Sequence, residues 1–499
     1  MTPSNTGSTT SSPIFMRVPP HTVRCQTRSM AASVEVTGAI DPRVQELLDE
    51  VGLKVGPDQQ ATIVGHDPIL GNRFPVSEAA AVALAAGGIA ASDLWALKTG
   101  RRQQVRVDVR KAGISLRATL AMRLNGGPPP PSWADGNPLV DLYRCRDDRW
   151  VHLHGNFPHL AAGTMAVLGC SRDRAEITAA VARRDAQELE DALAANHQCG
   201  AMARTAEEWA AHPQGQAMAN VPRVEIIKLA DSDPRPLPAG DRPLADVRVL
   251  DLTRILAGPT HARTLAQYGA DVLHITSPNL PSSQVWVMDT NQGKLSAYLD
   301  LDAPTDVDRL RQLATEADVF AQGFRSQALE RRGFGPHQLA AIRPGIIYVS
   351  INCYGHVGPW LERPGWEQLA QTVTGLATAQ GTPDRPQRMP VAACDYTTGY
   401  LAALGTLVAL GRRAREGGSY HVRASLCQSA MWFQRLGPTC DPAQASGPGD
   451  TSELTTDADT AWGRLTYLTP CVEMSETPPA WLRQPVPLGT HPPSWPAGN

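Results

Sequence analysis

The sequence lacks the features that mark three common classes of protein. None of its nine cysteines forms a C-x-x-C pair, which argues against a structural zinc site or a disulfide framework and favours a reducing compartment. No apolar run reaches the roughly 18 residues that a membrane helix needs, since the longest runs stop at about 13 residues. The net charge of −3 provides no basic surface for nucleic acid or for an anionic membrane.

What the chain does have is length and apolar residues. Its 499 residues exceed one average domain and 42% of them are hydrophobic, so we expect two or more compact units with a substantial core. The N-terminal segment before Glu35 is rich in Ser and Thr, contains Arg17, Arg24 and Arg28, and has no acid. That composition is typical of a disordered tail and also of a mitochondrial presequence. The sequence therefore predicts a cytoplasmic protein and leaves a mitochondrial location open.

Strands and helices alternate in the second half of the chain. Short β-type runs at 247–253, 271–276, 317–324 and 345–355 are separated by helical stretches, which predicts a parallel sheet covered on both faces. The predicted fold class is α/β, with a Rossmann-like parallel sheet in a large domain and a smaller α+β domain. Ligands of such sheets bind at the carboxyl ends of the strands, so the loops that follow these runs are candidate sites.

The region 138–230 has a different pattern. Its first part, "PLVDLYRCRDDRWVHLHG", alternates like a hairpin with a turn at Arg146–Arg149, and three helical stretches follow, which predicts the small α+β domain. Two segments rich in proline, glycine and polar residues are typical of linkers, and the last segment is too proline-rich for regular structure. The predicted organisation is a tail or presequence at 1–40, the back half of a large-domain copy at 41–130, the small domain at 131–230, a linker at 231–243, the large domain at 244–435, a second linker at 436–459 and an extended strap at 460–499.

Two distant segments of the chain resemble each other. Residues 75–116 and 390–431 both run from Pro-Val through an apolar helix and an Arg-rich loop to a strand that contains valine. Aligned with an offset of 315, Asp395 in the second segment falls opposite Ala80 in the first. This alignment predicts that the first copy keeps the packing and lacks the carboxylate.

Four pieces of the second half resemble the family III CoA-transferases (CaiB/BaiF type), which include formyl-CoA transferase, carnitine CoA-transferase and α-methylacyl-CoA racemase. They are "PLADVRVLDLTRILAGPTHARTLAQYGADVLHI", "NQGKLSAYLDLDAP", "FRSQALERRGFG" and "YVSINCYGHVGPWLERPGWEQLAQTVTG", and they follow one another in the family's order. The small domain and the strap also resemble parts of the family, but here the small domain precedes the large one. The resemblance implies the family's fold and, with less force because the order is changed, its interlocked homodimer.

The resemblance also implies a chemistry. The family's nucleophilic aspartate maps onto Asp395, and Glu367 in "PGWEQ" maps onto an acid that orients the surroundings of the nucleophile. A carboxylate that attacks a thioester gives a mixed anhydride and divides one hard exchange into easier steps. The implied activity is a transferase that moves coenzyme A between an acyl-CoA and a carboxylic acid, with coenzyme A as a substrate and no cofactor or metal.

Coenzyme A carries phosphates, which need cations. By match to the family, the candidates are Arg254, Lys294, Arg325 and Arg331.

Other interpretations of the same residues stay open. Asp395 lies at a helix start, where an aspartate often serves only as a cap. An α-methylacyl-CoA racemase is a second possible activity, although the family's racemases carry a histidine where this chain has Trp366, and tryptophan cannot move a proton at an α-carbon. The changed domain order also allows a non-catalytic CoA-binding relic.

Overall fold

The structure is a computed structural model that describes residues 40–56, 58–132, 134–325 and 327–496. The predicted tail or presequence at 1–40 lies, apart from Ile40, outside the described residues.

Helices and strands follow one another along the whole described chain. In the first half they are α1 Pro42–Glu50, β1 Ala61–Val64, α2 Val76–Thr99, β2 Val105–Asp108, α3 Val109–Ser115, β3 Arg123–Leu124, β4 Val140–Arg144, β5 Trp150–His154, α4 Pro158–Leu168, α5 Arg174–Val181, α6 Ala186–Ala195, β6 Gly200–Met202, α7 Ala206–Ala211, α8 Pro213–Met218 and β7 Val224–Ala230. In the second half they are β8 Arg248–Leu252, α9 Ala257–Ala266, β9 Asp271–Thr276, α10 Gln284–Thr290, β10 Lys294–Tyr298, α11 Pro304–Glu316, β11 Val319–Gln322, α12 Pro336–Ile342, β12 Ile347–Asn352, α13 Glu367–Val373, α14 Leu376–Gln380, α15 Ala393–Glu416, β13 Ser419–Ser425, α16 Leu426–Leu436, β14 Thr455–Thr460, β15 Gly463–Leu468 and β16 Val472–Met474.

A seven-stranded sheet forms the centre of the large domain, in the order β10-β9-β8-β11-β12-β13-β7. All its pairings are parallel except the one between β13 and the edge strand β7. The predicted α/β class with a mostly parallel sheet is confirmed. The four predicted strands correspond to β8, β9, β11 and β12.

The central strands are apolar on both faces because helices cover both sides of the sheet. Leu250, Phe320 and Tyr348 lie side by side in neighbouring strands and face one core cluster. The preceding residues in two of these strands, Val249 and Val319, face the other cluster. The strand order changes direction between β8 and β11, so the carboxyl ends of these two strands form the crevice where ligands of open α/β sheets bind.

The small unit contains the predicted hairpin. Strands β4 and β5 pair in antiparallel fashion on either side of the turn at 145–149, and β6 adds a third strand beside helices α4 to α8. The predicted end of this unit at residue 230 is wrong, because β7 leaves it and pairs with β13 at the edge of the large sheet. At that edge, apolar residues of β7 cover the face of α15 that packs on the sheet.

The repeated segments form helices α2 and α15, which pack against each other more extensively than any other described pair of elements. Both helices have 24 residues, and their corresponding ends are 317 positions apart, as are their C-cap residues Gly100 and Gly417. The predicted offset of 315 is therefore wrong by two. The residue opposite Asp395 is Glu78, so the first copy does carry a carboxylate, held in an ion pair with Arg43.

Each copy also contributes a strand to a sheet of the other copy. Strand β7, from the first half of the chain, lies antiparallel to β13, and β16, from near the end, lies antiparallel to β2 in a three-stranded sheet with β1. The equivalence extends to single contacts. A Cβ added to Gly88 would lie 2.7 Å from Val105 Cγ1, and one added to Gly405 would lie 2.7 Å from Val422 Cγ1. One chain thus contains two interlocked partial copies.

The proline-rich end of the chain is more regular than predicted. Strand β14 begins inside the predicted linker at 436–459, and β15 and β16 form inside the predicted strap at 460–499. These strands form because their backbone groups find partners in β3 and β2. From residue 475 to residue 496 the chain has no helix or strand, and backbone hydrogen bonds such as Gly293 N–H to the Arg483 carbonyl at 2.9 Å attach it to the large domain.

Two further observations bear on environment. Helix α2 is long and apolar enough to cross a membrane by length and composition, but its residues 76–95 are buried in the protein apart from Glu78. This is the setting of a core helix. All eight cysteines in the described part of the chain are free thiols.

The two equivalent glycines provide a test of the interlocked packing. We expect Gly88→Ala and Gly405→Ala each to lower the free energy of unfolding by about 1–3 kcal/mol, because the new methyl group clashes with valines of β2 or β13. The control is Gly87→Ala, in the same helix as Gly88 but with open space at its Cβ position, which should raise stability by about 0.5–1 kcal/mol. Urea denaturation measures all three, and equal effects at positions 87 and 88 would contradict the packing.

Candidate active site

Asp395 lies in the first turn of α15, where it is 8% exposed. The helix is not capped by this residue, because its N-cap position is Ala392. The free N–H groups of Cys394 and Asp395 instead donate to the carboxylate of Glu367, at 3.2 and 2.5 Å. Glu367 begins the separate helix α13 and performs the capping from outside. The helix-cap interpretation of Asp395 is wrong, and its carboxylate accepts no hydrogen bond from any described residue.

The two buried carboxyl groups influence each other's ionisation. Burial raises the pKa of Asp395 well above its ordinary value, and the nearby charge of Glu367 raises it further. Burial also raises the pKa of Glu367, although hydrogen bonds from Gln371 and from the N–H groups of Asp395 and Cys394 act in the opposite direction. The negative charge of an ionised Glu367 is therefore better stabilised by its surroundings than that of an ionised Asp395. Asp395 is left poorly solvated.

Other contacts fix the position of this turn. Gln371 Nε2 donates to Glu367 Oε1 at 2.6 Å, and the hydroxyl of Tyr396 donates to Asp289 Oδ2 at 2.6 Å. Asp289 is itself paired with the buried Arg263 at 2.9 Å. The start of α15 is thus held from two sides, by α13 and by the pair of helices α9 and α10.

A cleft of about 750 Å³ opens beside this turn. Glu367, Ala392 and Tyr396 line it, and Asp395, which is not itself a lining residue, lies in the turn between the last two. Its opposite wall comes from the first half of the chain, between residues 116 and 150. Both partial copies are therefore needed to form the cleft.

Two smaller cavities lie between this cleft and the carboxyl ends of the strands of the large sheet. Trp286 lines both the cleft and a narrow cavity that also contains Arg254, and Thr276 lines both that cavity and one of about 260 Å³. The last cavity lies at the ends of β8, β9 and β10 and is largely apolar, with Phe324 among its residues. The three cavities are therefore neighbours, and we call the row that they form between the carboxyl ends of the strands and the cleft the path.

Two of the four predicted phosphate ligands lie near this path. Arg254 follows β8 and Arg325 follows β11, so they flank the point where the strand order changes. Arg254 is half-buried with its guanidinium 5.6 Å from the ring of Phe157. Burial lowers the pKa of His159 on the small unit, and the charges of both arginines lower it further, so both charges lie near this histidine.

The other two predicted ligands are not brought to the path. Lys294 is fully buried, and its ammonium donates to Asp251 Oδ2 and to the carbonyl of Pro259, each at 2.9 Å. It cannot reach a phosphate, so that prediction is wrong, and its role is to neutralise Asp251 at the end of β8. Arg331 is exposed on the surface and donates to Gln327 at 2.9 Å.

Several residues of the site escape sequence analysis. Gln371 follows Glu367 by one helical turn, a spacing that does indicate contact on a helix. Arg117, Arg385 and Arg388 line the cleft, but they come from loops without any periodic signal. Within the described residues, no group of three or more His, Cys, Asp or Glu side chains is placed to hold a metal ion.

The buried Asp395 carboxylate should lower the stability of the folded protein at neutral pH. Because its folded pKa lies above the ordinary value of 3.8, the folded state binds more protons than the unfolded state between the two values, and stability falls as pH rises through that window. We expect Asp395→Asn to raise the melting temperature at pH 7, and the gain to shrink as the pH approaches 4.

The control for this experiment is Asp457→Asn, on the exposed hairpin. Hydrogen bonds from Thr466 and Arg464 lower the pKa of Asp457, so its removal should leave the melting temperature unchanged or slightly lower at pH 7. A lower melting temperature for Asp395→Asn at pH 7 would show instead that the carboxylate supports the fold.

The chain is similar to known proteins over much of its length. A family model described as CoA-transferase family III matches residues 61–228 and 244–454. The chain is 34% identical over 328 residues to the acetyl-coenzyme A transferase nodX of Hypoxylon pulicicidum, and 32% identical over 369 residues to an acyl-CoA transferase of Gibberella moniliformis. These alignments cover 61% and 65% of this chain, but only 55% and 64% of the two relatives.

Shorter similarities are found as well. Over 218 residues, 39% of this chain, it is 31% identical to 54% of a succinate–glutarate CoA-transferase of Agrobacterium fabrum. Among solved structures, a CaiB/BaiF family protein from Brucella suis is 30% identical, with a TM-score of 0.36 over 45% of this chain and 65% of that one.

Proposed function

The chain belongs to CoA-transferase family III, and from that premise we propose that it moves coenzyme A between an acyl-CoA and a carboxylic acid through Asp395. The observation that carries the proposal is the unpaired, buried carboxylate of Asp395 beside a cleft, with its helix capped by another acid. A carboxylate that served only the fold would be expected to accept hydrogen bonds.

The proposed reaction has four steps. An ionised oxygen of Asp395 attacks the thioester carbon, the C–S bond breaks, and a mixed anhydride and the CoA thiolate result. The thiolate attacks the aspartyl carbonyl, releasing the donor acid and leaving an aspartyl-CoA thioester. The acceptor carboxylate then attacks that carbonyl, forming a second anhydride and freeing the thiolate. Finally the thiolate attacks the acceptor's acyl carbon, which gives the new acyl-CoA and restores Asp395.

The surroundings of Asp395 suit this role. Little solvation needs to be removed before its oxygen attacks, because the side chain is already buried. Its position in the first turn of α15 places it at the positive end of the helix dipole, which favours the anion at the moment it is needed. Since the pKa of Asp395 is raised, the rate constant kcat/KM for the acyl-CoA should increase with pH across that raised value.

Coenzyme A is proposed to lie along the path of neighbouring cavities. We place its adenine end in the apolar cavity beside Phe324, its phosphates near Arg254 and Arg325, and its pantetheine arm past Trp286. The thioester then lies in the cleft at Asp395. The free thiols of the described cysteines support a reducing compartment for the reaction, and a homodimer stays a prediction.

Trapping the covalent intermediate tests the proposal. The protein is incubated with acyl-CoA, treated with hydroxylamine and digested, and we expect a hydroxamate on the peptide that contains Asp395. Asp395→Asn should abolish it. The matched control is Glu78→Gln, which removes the carboxylate at the equivalent position of the first copy and should leave the adduct unchanged.

The alternatives give different results in the same experiment. A racemase would exchange the α-hydrogen of the acyl group with solvent deuterium and form no hydroxamate, and a relic would bind coenzyme A and do neither. Either result would overturn the transferase proposal. Trp366 stacks on the buried His154 ring, 5.5 Å away. By the resemblance, it occupies the position of the racemases' histidine, and a tryptophan cannot serve as an acid–base group there.

A further inference from the structure

Three solvent-exposed arginines line the cleft beside the turn that bears Asp395, namely Arg117, Arg385 and Arg388. None of them forms an ion pair with a described residue, although Arg117 donates to the Pro390 carbonyl at 3.2 Å. Many other arginines of this protein, such as Arg146 and Arg174, are paired with carboxylates. The cleft therefore contains positive charge that the described residues do not neutralise.

The acids of the cleft offset only part of this charge. Asp141 is paired with Arg174 at 2.8 Å, whereas Asp135, which accepts a hydrogen bond from the Ser132 N–H at 2.8 Å, keeps one negative charge against the three arginines. Glu367 is occupied by the N–H groups of α15. An anionic ligand is the natural partner of the three arginines.

The loop that bears two of these arginines is ordered. A tight turn joins Thr382 and Arg385 through two backbone hydrogen bonds of 3.1 Å, and Trp150 Nε1 donates to the Asp384 carbonyl at 3.1 Å. The Gln387 N–H donates to the Ala377 carbonyl at 2.9 Å. The cations are thus presented on a fixed backbone, which lowers the entropy lost when a ligand binds.

This loop is joined to the reacting pair of carboxylates. The Met389 N–H donates to Gln371 Oε1 at 2.8 Å, and Gln371 Nε2 donates to Glu367. Arg388 therefore adjoins a backbone group that is two hydrogen bonds from the acid that caps α15. Burial lowers the pKa of His154, the ring stacked on Trp366 next to Glu367, and the charge of Arg388 lowers it further.

We propose that Arg388, with Arg117 and Arg385, binds the distal carboxylate of a dicarboxylic acid acceptor whose other carboxylate reacts at Asp395. The inference rests on the proposed function and names its acceptor class. Apolar residues of the cleft, among them Leu120 and Trp286, supply the surface for the carbon chain between the two charged ends. The phosphates of coenzyme A are the other source of negative charge, and Arg254 and Arg325 lie nearer the sheet edge for them.

Two acceptors that differ in one group test this inference. Glutarate and pentanoate have the same five-carbon chain, but only glutarate has a second carboxylate. With a monocarboxylic acyl-CoA as donor, we expect the wild-type protein to prefer glutarate and Arg388→Gln to lower kcat/KM for glutarate about 10- to 100-fold. The value for pentanoate should change less than about threefold, and Arg388→Lys should recover part of the glutarate activity because it keeps the charge.

Controls separate this inference from the proposed function. Arg106→Gln, an exposed arginine on β2 paired with Glu473, should leave both acceptors unaffected. Hydroxamate formation at Asp395 from acyl-CoA alone, without any acceptor, should be the same in Arg388→Gln as in the wild type. If the wild type forms no hydroxamate, the transferase proposal is wrong. In that case glutarate binding measured by calorimetry, weaker in Arg388→Gln, would still support the anion site.

Three results would overturn the inference itself. They are equal losses for glutarate and pentanoate in Arg388→Gln, a wild-type protein that does not prefer glutarate, and a raised KM for the acyl-CoA with no change for the acceptor. The last result would assign the three arginines to the phosphates of coenzyme A.

Discussion

The structure of the site depends on one hydrogen-bonded contact, between the carboxylate of Glu367 and the first N–H groups of α15. A helix that starts with Ala-Cys-Asp would ordinarily draw its own aspartate into capping. Here the donors are already occupied by Glu367, so the carboxylate of Asp395 has no structural partner among the described residues. The same contact joins α13 to α15 and, through Gln371, fixes the loop before α15. Because Glu367 caps the helix, Asp395 does not have to, and its carboxylate stays available for the proposed reaction.

The first copy shows that capping by a distant residue does not by itself leave the acid of the first turn without a partner. Asp67 accepts the N–H of Glu78 at 2.9 Å, much as Glu367 accepts that of Asp395, so both copies place a carboxylate at the start of the long helix. Glu78, however, is held by Arg43 from α1 and by the Asp67 N–H. A carboxylate that is paired in this way is stable and weakly nucleophilic. The two copies therefore share geometry and differ in what surrounds the acid.

Much of the fold could be predicted because strands buried on both faces leave a continuous apolar signal. Strands β8 and β12 are of this kind, and the helices between strands have ordinary lengths. The placement of Asp395 and Glu367 followed from a long, ordered resemblance. Strand β7 was assigned to the wrong unit, because its partner β13 lies in the other half of the chain and no local pattern indicates the pairing.

The errors at the site have physical causes too. Lys294 was expected to bind phosphate because a sequence shows that a residue is charged but not that it is buried. The fold places its ammonium inside the protein against Asp251. The repeat offset was wrong because the matching prolines lie at different distances from the helix starts. Arg388 was missed because it lies in a polar loop, where an arginine is usually solvated. Only the fold brings that loop to the cleft.

The exchange of β7 and β16 has a consequence for how the chain acquires its structure. The first partial copy cannot complete its small sheet until β16 has been synthesised, long after β2 has left the ribosome, while β7 must wait for β13. Such sequence-distant pairings raise the contact order and slow folding. Neither half is an autonomous unit during translation, so helix α2 and its apolar surface remain uncovered until most of the polypeptide has emerged, a period in which chaperones would be most needed.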